Sequence, residues 1–579
     1  MAIFCSCLTA TYQLQRRSSG KVMDTNEELS IVLELSEDDF FFDRKEKVLR
    51  SKGFSSKERV CLQGSSKPDR MSDAVKVLVQ IARIIHLNEV ELYFADDAST
   101  SGEFYSPRNE LEALNSIISL IDTLLSSYKH PHTIILQELR TAILALISDF
   151  GDKNSLGATV EKELRCEQEE HLLEWGKNNG VRTQLQIACS FILPAFYTRY
   201  QRSRRGAVAE KDLKVGDIAL EIPVSIIINE DLVRETDMYC VLNEKGISSE
   251  TMLLLWSMKE KQNQDSRFRI YFDSLPEKFN TGLSFGIDGI TTSEGTLLLE
   301  EIMEARQYLH TQYDELFPAL CNAFPDIFPP KLYTWEQFLW ACELWYSNSM
   351  KIMFSDGTLR TCLIPIAGFL NHSLCPHILH YGKVDPATNS LKFPLSRPCR
   401  SGEECCLSYG NFSNSHFLTF YGFLPQGDNP YNVIPLDIDA SGIDSMEDEP
   451  MSSWTNHMVR GTWLSNNHNL YYYGLPSPLL DHFRRSRNPM LHTKTFLQED
   501  LENELEILED LRSIFDSMMD SLDDTSLDDR ENCSWDENLA LEYKIQQKRI
   551  VSSISTSCNT GMDMVKNELC KCMAEDIRG

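Results

Sequence analysis

The sequence predicts an α+β chain of several domains, and three observations predict it. First, residues 73–150 repeat apolar side chains at three- and four-residue steps. Val75, Leu78, Ile81, Ala82 and Ile85 form one such series; Leu111, Leu114, Ile117, Ile118, Ile121, Leu124 and Leu125 form a second. Pro131 then opens a third, with Ile134, Ile135, Leu139, Ile143 and Leu146. Second, short strand-like segments bounded by turns occupy two separate stretches, residues 207–228 and 350–436, with a mainly helical stretch between them. Third, the tail from residue 475 returns to helical spacing. Leu497, Leu501, Leu505, Leu508, Leu511, Phe515, Met518 and Leu522 keep one apolar stripe on a long acidic helix from Asp500 to about Leu522.

Each element follows from local chemistry. Residues 1–70 read as a disordered or loosely ordered segment. Met1–Val22 has no acidic residue and carries Arg16, Arg17 and Lys21, the pattern of a disordered tail or of an organelle transit segment. Residues 23–70 are charged and turn-rich, with the acidic-aromatic patch Glu37-Asp38-Asp39-Phe40-Phe41-Phe42-Asp43. Residues 71–160 are helical and resemble no recognised family. His171–Trp175 starts a short helix. Ala207–Ala209, Ile218–Pro223 and Ser225–Ile228 read as strands around the turn Lys214–Asp217. Residues 231–345 are helical, broken near Pro276 and Pro325–Pro330. Ser521–Glu531 is an acidic loop, and Glu537–Ser552 a final helix with Leu539, Tyr543 and Ile550 on one face. No repeat is evident along the chain.

Bulk properties bound the function. A chain of 579 residues exceeds one core, so two to four domains are expected. The net charge of −30 argues against nonspecific grip on phosphate backbones, so no nucleic-acid partner is expected. The longest apolar runs, such as Ser190–Tyr197, fall far short of a membrane span of roughly 18 residues. The seventeen cysteines lack paired C-x-x-C spacing. Cys405 and Cys406 are adjacent in a strand-like segment, poor geometry for a mutual disulfide, so free buried thiols are expected. Cys375, His377 and His380 lie close together but have no second ligand pair at matched spacing, so no metal is expected.

Two motifs about 40 residues apart carry the chemistry. In Leu363–Ser373 an apolar strand ends in Asn371-His372. In Gly402–Gly410 a second strand ends in Tyr409-Gly410, and Tyr421-Gly422-Phe423 follows. A buried strand has no packing reason to end in Asn-His, and an Asn amide both donates and accepts. Upstream, Arg205-Gly206-Ala207 opens a strand with a glycine that lets backbone approach a neighbour closely.

The order and spacing of these motifs resemble the SET-domain methyltransferases, in the branch of the Rubisco large-subunit lysine methyltransferase and the actin-histidine methyltransferase. Tyr271 with Leu275-Pro276, Phe338–Ala341 leading to Ser347, Asn429-Pro430-Tyr431 and Tyr543–Lys548 extend the resemblance over roughly residues 165–575. It implies a SET fold at 165–436, β-rich in short sheets, with an inserted helical subdomain at about 231–345. A helical, Rubisco-methyltransferase-like substrate-binding lobe would occupy 437–579. It implies a monomeric, S-adenosylmethionine-dependent methyltransferase acting on a lysine of a non-histone protein. A histidine target and a catalytically degenerate interaction protein stand as alternatives. The compartment implied is cytoplasm or nucleus, or plastid if the N-terminus is a transit segment.

The resemblance also assigns roles. Arg205, Gly206 and Ala207 would meet the cofactor through the main chain. Asn371 and His372 would grip its amino-acid and adenine parts, with Phe423 packed on the adenine. Tyr409 would be the catalytic hydroxyl beside cofactor and acceptor, and Tyr421 would touch the substrate. Two positions depart from the pattern: Asn348 stands where the family usually has the Arg that pairs with the cofactor carboxylate, and Gly368 where it usually has Asp.

Overall fold

The computed structural model describes residues 29–62, 68–95, 106–127, 132–154, 167–190, 204–438, 454, 456–487, 497–522 and 533–576. The expected N-terminal tail, the apolar run 190–197 beyond its first residue and most of the acidic loop 521–531 lie outside the described residues.

The first lobe runs β1 (Leu29–Glu34), α1 (Phe42–Ser51), β2 (Lys57–Leu62), α2 (Pro68–Ile85), α3 (Glu89–Ala95), α4 (Pro107–Ser127) and α5 (His132–Lys153). Loose order was expected through residue 70; instead 29–62 fold. Strand β1 alternates, burying Leu29, Ile31 and Leu33, and pairs antiparallel with β2 from Leu29↔Leu62 to Glu34↔Lys57. The charged patch is used structurally. Asp39 accepts from the buried Lys45 ammonium at 2.8 Å, and that ammonium also donates to Ile85 O at 2.9 Å, which ties α1 to the end of α2.

The central domain begins with α6 (Glu167–Asn178), β3 (Arg182–Thr183), β4 (Leu185–Ser190), β5 (Arg204–Ala209) and β6 (Ile218–Pro223). The helical insertion follows: α7 (Glu230–Arg234), α8 (Met238–Glu244), α9 (Ser249–Gln262), α10 (Arg269–Ser274), α11 (Ile287–Thr292), α12 (Leu297–Ala323) and α13 (Trp335–Asn348). The chain then returns to short elements: β7 (Ser349–Met353), β8 (Leu359–Leu363), β9 (Val384–Asp385), β10 (Ser390–Pro394), the single turn α14 (Asn414–His416) and a π-helical turn, Phe417–Tyr421. The strands make small antiparallel sheets: β4–β5, β7–β8, and one of order β3-β6-β10-β9. Residues 225–228 were expected as a strand. They instead form a 3₁₀ turn at Val224–Ile226, after which Ile228 exchanges backbone hydrogen bonds with Leu363 at 2.9 Å each way.

A buried carboxylate ties the insertion together internally. Glu343 on α13 accepts from the hydroxyls of Thr281 and Ser284 at 2.6 Å each. Next to Thr281, the Asn280 carbonyl reaches Gly422, whose φ is +74°. A Cβ there would lie 2.0 Å from that oxygen, so only glycine fits.

The last lobe contains β11 (Ile434–Leu436), β12 (His457–Val459), α15 (Ser477–Arg487), α16 (Gln498–Leu522) and α17 (Trp535–Asp576). Helix α16 matches the expected apolar stripe, with Leu501, Leu508, Leu511 and Phe515 fully buried. Helix α17 runs well past Ser552, and the antiparallel β11–β12 pair stands at the base of an otherwise helical lobe.

The two outer lobes repeat one arrangement, although no repeat was evident along the chain. In each, an antiparallel strand pair precedes a helix bearing an Arg in its last turns, a long helix bearing a Glu in Asn-Glu-Leu-Glu and a final helix; the first lobe adds α1 between its strands and the short α3 before the long helix. The second motif reads Asn109-Glu110-Leu111-Glu112-Ala113-Leu114 in α4 and Asn503-Glu504-Leu505-Glu506-Ile507-Leu508 in α16. In both lobes the Arg grips the Glu bidentately. Arg83 Nε and Nη2 meet Glu110 at 2.5 and 2.8 Å, and Arg484 Nε and Nη2 meet Glu504 at 2.9 and 2.5 Å. The match escapes a sequence scan because six residues are too few to stand out, and the Arg-to-Glu spacing differs, 27 residues against 20.

The first lobe docks on the other two parts. Tyr93 on α3 receives a hydrogen bond from Met458 N at 3.3 Å and lies 3.1 Å from His457 Nδ1, while Tyr431 donates to Glu91 at 2.8 Å. On the central domain, Asn115 donates to Ser396 O at 2.9 Å.

Two outcomes follow from these pairings. Glu504→Ala is expected to cost about 3 kcal/mol, because it strips the buried Arg484 of its bidentate partner; replacing both residues by Leu and Met should cost far less. Urea denaturation midpoints check this. Burial pushes the Glu343 carboxyl up to about 7, against hydrogen bonds from Ser284 and Thr281 and the nearby Arg306 charge. The native state then holds a proton that the unfolded chain releases near 4.5, so stability falls as pH rises between about 4.5 and 7. Glu343→Gln should flatten that fall, seen as a Tm advantage that grows from pH 5 to pH 8.

Candidate functional site

Three chain segments far apart in sequence cross at Asn371. Its Nδ2 donates to Arg205 O at 3.0 Å on β5 and to Glu404 Oε1 at 2.6 Å on the later strand segment. Main-chain bonds lock the same crossing: Leu407 N donates to Asn371 O at 2.9 Å, and Ser373 N to Leu407 O at 3.1 Å. Asn371 is delivered by a 3₁₀ turn, Ala367–Phe369, which begins after Ile366. That β-branched residue sits at φ +73°, a strained conformation held by a buried side chain.

At Gly206 the approach is close. A Cβ there would lie 2.3 Å from Glu404 Oε1 and 3.0 Å from Asn371 Nδ2. The Arg205 side chain turns the other way and pairs with Glu169 of α6, while its carbonyl serves Asn371. Ala207 is buried, and its carbonyl accepts from Cys405 N at 2.7 Å. Thus Arg205, Gly206, Ala207 and Asn371 form one wall.

The second wall is aromatic. His372 Nδ1 accepts from Tyr409 N at 3.1 Å, which assigns the proton to Nε2. The His372 ring lies 4.6 Å from Phe417, 5.4 Å from Tyr409 and 6.2 Å from Phe423. Tyr409 stacks on Tyr421 at 5.1 Å and meets Phe423 edge-on at 6.1 Å. Its hydroxyl donates to Leu370 O at 3.1 Å, which fixes the phenol beside the Asn-His turn. Burial, reinforced by Tyr381, pushes the Tyr421 phenol far above its ordinary range, so it stays protonated.

Asn348 and Gly368, the two departures from the family pattern, face each other. Asn348 Nδ2 donates to Ser347 Oγ at 2.7 Å, and its Oδ1 would stand 3.1 Å from a Cβ on Gly368. The structure therefore gathers every sequence-predicted site residue into one region, with Asn348 reached through Gly368 and the turn that leads to Asn371.

Sequence reasoning missed Glu404, Phe417 and Glu169. Glu404 had a readable signal: a carboxylate that runs directly into the apolar Cys405-Cys406-Leu407 segment needs a partner. Near the crossing, His377 does not associate with Cys375 and His380. His380 lies 3.8 Å from Glu112, whereas among the described residues His377, Cys399 and Cys405 place ligand atoms within 4.8 Å of one another. A cavity of about 300 Å³ opens in the last lobe, lined by Trp463, Tyr473, Ser557 and Met564, and shares no residue with the site.

Comparison with known proteins adds three findings. A family model described as Rubisco LSMT substrate-binding matches residues 36–139. This corrects one expectation: the first lobe carries that match rather than lying outside the resemblance. The physical reason is that charged, turn-rich spacing between β1 and β2 hides a strand pair made across the fold. In sequence, the chain is 23% identical over 258 residues to the chloroplastic [fructose-bisphosphate aldolase]-lysine N-methyltransferase of Arabidopsis thaliana, covering 43% of this chain and 51% of that one. It is 24% identical over 256 residues to the chloroplastic Rubisco large-subunit N-methyltransferase of Pisum sativum (42% and 50%) and 20% identical over 281 residues to the actin-histidine N-methyltransferase of Canis lupus familiaris (48% and 46%). The chain spans about half the length of these curated relatives.

In structure, the SET domain of LSMT bound to lysine and AdoHcy superposes with a TM-score of 0.50 at 18% identity, covering 69% of this chain and 92% of that one. Rubisco LSMT bound to sinefungin and monomethyllysine gives 0.51, at 18% identity, with 70% and 94% covered.

The wall at Gly206 yields a test. Gly206→Ala should cost about 1–3 kcal/mol by driving the Glu404 carboxylate off Asn371. In a Glu404→Ala background the same change should cost much less, and a double-mutant cycle in urea measures that coupling. The antiparallel sheets, the insertion and the strand crossing at Asn371 lead to one conclusion: the chain carries the SET fold and is similar in sequence to the Rubisco large-subunit and actin-histidine methyltransferase branch.

Proposed function

We propose that this chain is an S-adenosylmethionine-dependent protein methyltransferase, acting on lysine. The observation that carries the reading is the crossing at Asn371-His372, where one turn holds a two-way amide on one side and the Tyr409 phenol on the other.

The residues fit such a cofactor. Asn371 Oδ1 accepts no hydrogen bond among the described residues, so it is available to an ammonium while Nδ2 is held. The ring cluster of His372, Phe417 and Phe423 offers flat apolar faces suited to a purine. When bound, the cofactor would supply a methyl group activated by a sulfonium. The protein's part is then to position an uncharged amine, which needs no protein nucleophile. Tyr409, oriented by Leu370 O, would accept an N–H of the incoming amine. Desolvation in this pocket and the neighbouring sulfonium charge would disfavour an ammonium, and so favour the neutral lysine that attacks.

The departures at Asn348 and Gly368 leave a neutral contact in the pocket wall, with no buried charge between them. Losing the Arg removes one charge-assisted hydrogen bond, worth about 1.5–3 kcal/mol, so the cofactor should bind one to two orders of magnitude more weakly than with Arg present. The protein substrate would dock on the outer lobes, of which the first matches the substrate-binding family. Similarity to the actin-histidine enzyme motivates a second reading, the same pocket presenting a histidine, which is already neutral near pH 7.

Tyr409→Phe is expected to abolish methyl transfer to proteins of a cell extract while S-adenosylmethionine still binds within about twofold by calorimetry. Mapping the labelled residue distinguishes lysine from histidine. Absence of cofactor binding at millimolar concentration would instead identify a non-catalytic interaction protein.

A further inference from the structure

Beside the candidate site, and used by none of its chemistry, lies a cluster of two thiols and an imidazole. His377, Cys399 and Cys405 are buried to 1%, 0% and 0% exposure, and their ligand atoms all lie within 4.8 Å of one another. We propose that these three side chains form a binding site for a single thiophilic divalent metal ion of the zinc class, which staples the wall of the candidate pocket.

The backbone positions of the three residues are fixed independently of any ion. Cys399 exchanges main-chain hydrogen bonds with Leu213, at 3.0 and 2.8 Å. Cys405 N donates to Ala207 O at 2.7 Å, and His377 N donates to Cys406 O at 2.9 Å. The ligands therefore come from a preorganised frame, so little ordering is needed on binding. The cluster also has an outer partner: Glu403 Oε1 lies 3.1 Å from His377 Nε2 and accepts from Arg397 at 3.3 Å, while Glu403 Oε2 accepts from Arg400 N at 3.0 Å. A carboxylate that orients a ligating histidine in this way is a regular companion of metal sites.

The charge balance suits a dry site. A divalent ion would bind both sulfurs as thiolates, any thiol proton leaving to solvent, and the two thiolates cancel its charge. Glu403 is already balanced by Arg397, so nothing is left uncompensated in the core. Two sulfurs and one nitrogen select the zinc class over calcium or magnesium, which require oxygen. Of the two ring nitrogens of His377, Nδ1 accepts from Cys406 N at 3.1 Å, so binding exchanges one existing hydrogen bond for a metal bond. The consequence is local. Cys405 adjoins Glu404, the carboxylate that grips Asn371, and His377 follows His372 by five residues. An ion here would tie the Asn-His loop to the strand segment that leads to Tyr409.

The test uses the full chain, purified with and without added zinc chloride and freed of loosely bound ions by gel filtration, and a second portion stripped with EDTA. Elemental analysis should find about one zinc per chain, and cobalt(II) added to the stripped protein should give an intense thiolate-to-metal absorption band. Cys399→Ser with Cys405→Ser should lose both signals, while Cys375→Ser, a neighbouring buried thiol outside the cluster, should keep them. Should the double variant fail to fold, alkylation of the unchanged protein decides: zinc should slow labelling of Cys399 and Cys405 at least tenfold relative to Cys375. Absence of bound zinc and of the cobalt band, retention of both in the double variant, equal labelling with and without zinc, or a Cys399–Cys405 disulfide in the purified protein would each overturn the proposal.

Discussion

The central domain depends on one amide. Asn371 Nδ2 bonds the main chain of β5 at Arg205 and the side chain of Glu404 at once, joining segments 166 and 33 residues away. A side-chain amide is suited to this because its two N–H groups diverge, so one residue can brace both β5 and the Glu404 segment, which also pair through their main chains at Ala207 and Cys405. Everything nearby is arranged to keep the bond. Gly206 gives Glu404 room, Ile366 accepts a strained φ so that the turn can deliver Asn371, and Leu407 closes the crossing with main-chain hydrogen bonds on either side. A buried carboxylate shared in this way is costly if its partner leaves, which makes the crossing all-or-none.

The outer lobes obey a different constraint. Each is a strand pair and a helical stack, and each is cross-braced by an Arg–Glu pair between two helices, part-buried between α2 and α4 in the first lobe and buried between α15 and α16 in the last. Such pairs add little net stability compared with apolar residues of the same shape, but they allow only one register of the two helices. Finding the same brace in both lobes, within the same Asn-Glu-Leu-Glu segment, makes one architecture on each side of the SET fold the economical description of this chain. The first lobe then spends its α3 on β12 and its α4 on the central domain, so its position is set by buried polar contacts such as Tyr431–Glu91.

At the pocket, electrostatics is quieter than the family pattern implies. Asn348 and Gly368 meet as neutral groups, Arg205 with Glu169 and Arg397 with Glu403 are paired among themselves, and the Glu404 carboxylate is held by Asn371. Recognition there would rest on the Asn371 amide, on main-chain groups and on ring faces.

Much of this was legible in the residues. The helix period of α2, α4, α5 and α16, the polar end of the Leu363–Ser373 strand and the Tyr-Gly turns all follow from local chemistry, because side-chain periodicity and glycine or proline placement act over a few residues. The order of the motifs sufficed for the SET fold. What no local pattern revealed were the pairings: β1 with β2 across a charged stretch, the Glu404–Asn371 bond, the meeting of Asn348 with Gly368, the matching braces of the two lobes, and the approach of Cys399 and Cys405 to His377 rather than Cys375 or His380. These are contacts between side chains brought together by the packing of separate elements. Their partners are chosen by the packed core as a whole, so the sequence determined which elements form and which residues can do chemistry, and only the tertiary structure decided which of them meet.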